Sequence, residues 1–206
     1  MSRSGRRRDS PRSADPTTDY AERVVAGEIV AGPHVRAAAA RHLRDLVDGP
    51  KRGLAWDPAE ADRVFRFYRN VLRLNGGEHE GKRFELEPSQ AFIVGSLFGW
   101  KRTNGYRRFR VAYIEEGKGN GKSPMVAGIG LYMLVADDEP RAEVYAFATK
   151  KDQAQIMFRD AIAMVDQSPE LDRMLHRAGG KGREWNIADL ETGSFFRPIS
   201  SDDAQS

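Results

Sequence analysis

The sequence predicts an α/β fold: a mostly parallel sheet flanked by helices, incomplete at this length, behind an N-terminal helical region. Two short runs rich in aromatic and β-branched residues, Phe109–Ile114 and Glu143–Ala148, read as strands, and each is followed by a helix-period stretch. A glycine-rich turn, Gly117–Gly121, separates the first run from its helix. The order strand, glycine turn, helix, strand, helix is that of a right-handed βαβ unit.

The elements follow in order. Residues 1–18 carry several Arg and Pro and few apolar groups, and are expected to be a disordered basic tail. Residues 19–84 read as a helical region. A short helix is expected over Tyr20–Ile29, interrupted by Gly27. A second runs from about His34 to Val47 after Pro33, with Val35, Ala39, Leu43, Leu46 and Val47 near one face, and Gly49-Pro50 ends it. A third starts at Asp57-Pro58, an N-cap followed by proline at the first helical position, and directs Val64, Phe65, Tyr68, Val71 and Leu72 to a core. The α/β part is expected over 85–206. It opens with a helix at Gln90–Trp100, then a basic loop Lys101–Arg108, the first strand, the glycine turn, a helix Lys122–Val135, the second strand and a helix Asp152–Val165. Two short strands, Trp185–Ile187 and Ser194–Ile199, close the chain.

Composition bounds the function. Hydrophobic residues make up 40% and charged residues 31%, ordinary for a globular chain. There is no Cys, so neither a disulfide framework nor a thiolate metal site is available. The longest mainly apolar stretch, Met125–Ala136, is too short and too interrupted by glycine to span a bilayer, so no membrane role is expected. The N-terminus has no apolar core and is not a secretory signal. The net charge of +3 is compatible with a nucleic-acid partner but does not by itself indicate one.

The glycine turn carries the chemistry. Gly121-Lys122-Ser123 stands in the GK[ST] place of a phosphate-binding loop. The position five before Gly121, where the pattern has glycine, is Glu116, and Gly117 comes one residue later. Glycine lets successive main-chain N–H groups converge on phosphate oxygens, and the following helix N-terminus adds partial positive charge. Gly117, Gly119, Asn120 and Gly121 would line the cradle. Lys122 would reach the β- and γ-phosphates of ATP, and Ser123 would offer its hydroxyl to Mg²⁺. Pro124 falls in the first helical turn, where no backbone donor is needed. The competing reading is a Gly-Asn-Gly hairpin turn with an incidental lysine. It would join two strands, whereas the residues after Ser123 show no alternation.

The stretch Glu87-Pro88-Ser89-Gln90-Ala91-Phe92-Ile93, the segment Phe98-Gly99-Trp100, the Gly-Asn-Gly-Lys-Ser loop and Val144-Tyr145-Ala146-Phe147-Ala148-Thr149-Lys150-Lys151-Asp152-Gln153-Ala154 together resemble the large subunit of tailed-phage terminases. Phe158, Ser168-Pro169-Glu170-Leu171 and the opening patches Val25–Val30 and Arg41–Leu46 fit the same family, so the resemblance covers roughly residues 20–206. It implies a RecA-like P-loop ATPase that drives double-stranded DNA into a capsid in the host cytoplasm. Implied partners are the portal protein, the small terminase subunit and further copies in a homo-oligomeric ring. It assigns Gln90 to the adenine. It places at Lys118 a γ-phosphate-sensing role usually held by Arg; lysine lacks the bidentate fork. The family's acidic motif is expected beyond Ser206 and its nuclease domain is missing, so the chain reads as a fragment with little turnover of its own. Other readings are a different P-loop protein, such as a helicase or small nucleotide kinase, or a prophage remnant without function.

The remaining polar residues carry less. Lys101, Arg102, Arg107, Arg108 and Arg110 could meet DNA phosphates, or form a solvated loop or a subunit contact. His34, His42, His79 and His176 lack metal-ligand spacing. Ser200-Ser201-Asp202-Asp203 reads as a polar loop, and Trp56, Trp100 and Trp185 as core or rim residues.

Overall fold

A computed structural model describes residues 15–201. Most of the tail expected at 1–18 lies outside that range, as do Asp202 and Asp203. The part that is described differs from the expectation. Helix α1 runs Pro16–Val25, starting before residue 19. Asp15 caps it, accepting the N–H of Thr17 at 3.0 Å, and Pro16 takes the position where no donor is needed.

The chain divides into two compact units, and not at the expected 84/85 boundary. The first comprises the residues up to Asp62 together with Glu87–Val111; the second comprises Arg63–Leu86 and the residues from Ala112 on.

In the first unit α1 packs on α2 (Pro33–Asp48) and on α4 (Pro88–Gly99). Tyr20, Ala21, Val24, Ala39 and Phe92 form the shared core. The buried face of α2 is Ala39, His42 and Asp45, whereas Val35 and Val47 are exposed. Apolar spacing placed Ala39 and Leu43 at the core but Val35 and Val47 wrongly, and it missed two polar residues of the face that are held by specific partners. A short antiparallel pair, β1 (Leu54–Trp56) with β2 (Trp100–Arg102), sets Trp56 opposite Trp100. Gly99 is required there: a Cβ would lie 2.6 Å from the Trp56 ring. Trp100 is fully buried, the core position expected of it.

In the second unit a four-stranded sheet has the order β3 (Glu143–Ala148), β6 (Ser194–Ser200), β5 (Asn186–Asp189), β4 (Leu175–Ala178). Only β3 and β6 are parallel; β4–β5 and β5–β6 are antiparallel. The sheet is therefore mixed, not mostly parallel. The tight turn Glu191–Gly193 returns β5 directly onto β6, and β4 closes the far edge as a further antiparallel strand unforeseen in the sequence. Ser200 ends β6 and is buried, so it is not the start of the polar loop expected there.

Helices α5 (Lys122–Val135) and α6 (Lys151–Gln167) pack on each other and on β3 and β6. Their seam holds Phe158 edge-on to Phe196, with ring centroids 5.5 Å apart. Glycines on α5 admit large rings: a Cβ on Gly130 would meet Phe196 at 2.7 Å, and one on Gly128 would meet Tyr68 of α3 (Pro58–Val71) at 2.6 Å. Helix α7 (Pro169–Met174) follows α6, capped by Ser168.

Phe109–Ile114 is not a strand. The ring of Phe109 is covered by the guanidinium groups of Arg108, at 4.8 Å, and Arg41, at 5.0 Å. Val111 and Tyr113 are exposed. Alternating apolar residues make a strand only where a ladder partner lies alongside, and among the described residues this segment has none.

Candidate functional site

The glycine loop opens α5, as its sequence predicts, but it does so without a strand in front of it. Gly121 is the N-cap residue, in the left-handed region at φ 72°, and Gly119 has φ 94°. An L side chain at either would be strained, so glycine is required twice within three residues. Gly117 has no such need, because a Cβ there would meet only the Asn120 amide nitrogen, at an ordinary 3.6 Å. The glycine that the P-loop pattern wants at position 116 is thus not replaced in conformation by Gly117.

Lys122, Ser123 and Pro124 form the first turn of α5, and the N–H of Met125 closes it on the carbonyl of Gly121 at 3.1 Å. The N–H groups of Lys122 and Ser123 precede any carbonyl that the helix could offer them, and Pro124 has none. That end of α5 therefore presents donors to an incoming anion. Lys122 is half-buried, and its ammonium folds back over the loop to donate to the main-chain carbonyl of Glu116 at 3.4 Å. Lys118, Gly119 and Asn120 are exposed at the tip. The structure thus brings Gly117, Lys118, Gly119, Asn120, Gly121, Lys122, Ser123 and Pro124 into one turn-and-helix feature. A residue that sequence reading treated only as a pattern mismatch also belongs to it: one carboxylate oxygen of Glu116 is shielded from solvent and meets no hydrogen-bond donor.

The residues present suit a polyphosphate. Left-handed Gly119 and Gly121 flank Asn120, and glycines of that kind let main-chain amides converge on an anion. No atom lies within 4 Å of a Cβ placed on Gly119, so the tip is open. The Lys122 ammonium is held against the same loop, at the Glu116 carbonyl.

Gln90 belongs to the first unit. It is buried, and its side-chain amide oxygen accepts the main-chain N–H of Glu87 at 3.2 Å, half of a capping box at the start of α4. α4 is buried around most of its circumference, and Gln90 serves the helix end.

Much of the basic loop is committed within the first unit. Arg108 donates to Asp45 at 2.5 Å, and its guanidinium lies over Trp100 and Phe109. Arg52 donates to the other Asp45 oxygen. Lys101 pairs with Glu60 at 3.0 Å, and Arg107 lies over Phe98. Arg102 and Arg110 are exposed. An open cavity of about 500 Å³ beside Lys101, lined also by Trp56, Asp57 and Glu60, has its charges already paired or capping α3.

Comparison with known proteins gives the loop its setting. The family model described as terminase large subunit, ATPase domain, matches residues 88–206, more than half of the chain. The fold is similar to that in the crystal structure of the HK97 bacteriophage large terminase, with a TM-score of 0.56 and 22% identity. That likeness covers 69% of this chain and 27% of the other, so this chain spans about a quarter of that protein. No curated protein sequence matches it. No helix among the described residues is long and apolar enough to cross a membrane. The match over residues 88–206, which contain the glycine loop and the helix it opens, places this chain in the family of terminase large-subunit ATPase domains.

Proposed function

We propose that the chain is the ATP-binding part of a viral DNA-packaging motor, in which ATP hydrolysis drives translocation of double-stranded DNA. The observation that carries the reading is the glycine loop, with two left-handed glycines and Lys122 folded over it at the head of α5. Its occurrence inside the segment matched by the terminase ATPase family supports the same reading.

The main-chain amides of Gly117, Gly119, Asn120 and Gly121 would hold the phosphates, and Lys122 would exchange its bond to the Glu116 carbonyl for phosphate oxygens. Ser123 would hold Mg²⁺ through its hydroxyl, and Lys118 would bring a second positive charge from the exposed tip. Bound Mg²⁺ supplies neutralisation of phosphate charge. Pro124 keeps the first turn of α5 free of a competing donor. Gln90 as an adenine contact, and the portal protein, the small terminase subunit and a ring of copies as partners, remain part of this proposal through the family alone.

The test is equilibrium titration of the purified chain with ATP and Mg²⁺. Saturable binding that inorganic triphosphate competes away is expected. Absence of binding at millimolar nucleotide contradicts the proposal.

A further inference from the structure

We infer that the Glu116 carboxylate makes the phosphate loop discriminate between metal-bound and metal-free triphosphate, disfavouring the latter. The inference rests on the phosphate-loop reading above. Three observations meet at this residue. Glu116 occupies the position where the loop pattern has glycine, so a charged side chain is present where most such loops have none. Its main-chain carbonyl receives the Lys122 ammonium at 3.4 Å. One of its carboxylate oxygens is shielded from solvent and has no hydrogen-bond partner.

The second observation fixes the distance scale. A glutamate carboxylate lies only a side-chain length from its own carbonyl, so this one is within about 10 Å of the lysine nitrogen. The lysine goes to the carbonyl, and the shielded oxygen is left without a donor. A shielded, unanswered carboxylate oxygen is costly, and its field is less damped than that of a solvated group.

The consequence follows from ligand charge. A triphosphate nucleotide without metal brings about twice the negative charge of its Mg²⁺ complex to the same place. Repulsion from Glu116 therefore falls mainly on the metal-free form. Lys122 attracts both forms and cannot discriminate in this sense. The preference is on the order of tenfold for one charge at this range, after screening.

The experiment measures the affinity of the whole chain for ATP in excess chelator and in excess Mg²⁺, for the wild type, Glu116→Gln and Glu116→Gly. Glutamine keeps the shape and removes the charge; glycine restores the usual loop residue and guards against a glutamine-specific distortion. Both variants are expected to bind metal-free ATP about tenfold more tightly while affinity for the Mg²⁺ complex changes by less than about threefold, so that the ratio of the two affinities falls. An unchanged ratio in both variants overturns the inference and leaves the loop reading standing. If the wild type binds neither form, the loop reading fails and this inference with it.

Discussion

The Tyr68 hydroxyl donates to the main-chain carbonyl of Met125 at 2.5 Å, joining α3 to the helix that the glycine loop opens. Met125 is one residue beyond Pro124, so this bond holds the end of α5 that carries Lys122 and Ser123. The tyrosine ring fills the space left by Gly128, and Phe67 beside it meets Tyr132 edge-on at 5.4 Å. Burial, which disfavours the phenolate, raises the Tyr68 hydroxyl well above its ordinary value, so it stays a donor across the working pH range.

Removing that hydroxyl is expected to cost stability without unfolding the chain. Tyr68→Phe should lower the unfolding free energy by about 1 kcal/mol, the usual worth of a buried neutral hydrogen bond. Gly128→Ala should cost more, about 1–3 kcal/mol, because the new methyl would displace the Tyr68 ring. Urea unfolding of both variants checks the order; a neutral Gly128→Ala contradicts the packing account.

Acid should weaken the first unit through His42. Trp100 Nε1 donates to His42 Nδ1 at 3.0 Å, so the ring proton sits on Nε2 and points to Thr18 Oγ1, also 3.0 Å away. Thr18 passes the chain on, donating to Asp15 at 2.6 Å. Burial lowers His42 from 6.5 to about 4; Asp15 and Asp45 oppose that fall, and Arg41 and Arg108 add to it. The unfolded chain therefore takes up this proton first. Stability is full above pH 6.5, declines as pH falls towards 4, and has lost about 3 kcal/mol from this residue below that. NMR titration of the imidazole checks it directly. A midpoint near 6.5 in the folded protein contradicts the network.

Asp45 anchors two arginines from a nearly buried position. Burial alone would raise its carboxyl, but hydrogen bonds from Arg108 and Arg52, with their charges, hold it below the ordinary value. Asp45→Asn leaves the largely buried Arg108 without its counter-charge and should cost about 3 kcal/mol by chemical denaturation. A loss below about 0.5 kcal/mol would show the pair to be a surface contact in energy.

The helices were legible because their signals are local. Pro at the first turn, Asp57 before α3 and the glycine after α2 each act within a few residues. The glycine loop was legible for the same reason. The sheet was not. Whether Phe109–Ile114 pairs depends on a neighbour that its own residues cannot specify, and the guanidinium groups of Arg41 on α2 and of Arg108 cover the ring of its first residue. The buried His42 and Asp45 also escaped periodicity, since a polar residue enters a core only with partners far along the chain: Thr18 and Trp100 for one, Arg108 for the other. Glu116 was visible as a departure from a pattern, but the shielding of its oxygen needed coordinates.

The central claim is that the head of α5 grips a triphosphate through Lys122. Titration of Lys122→Ala with ATP and Mg²⁺, alongside the wild type and a thermal-unfolding control, tests it most directly. Loss of measurable nucleotide affinity with an unchanged unfolding midpoint is predicted, since this half-buried side chain has one long bond to the Glu116 carbonyl to lose. Equal affinity in the variant and the wild type would contradict it.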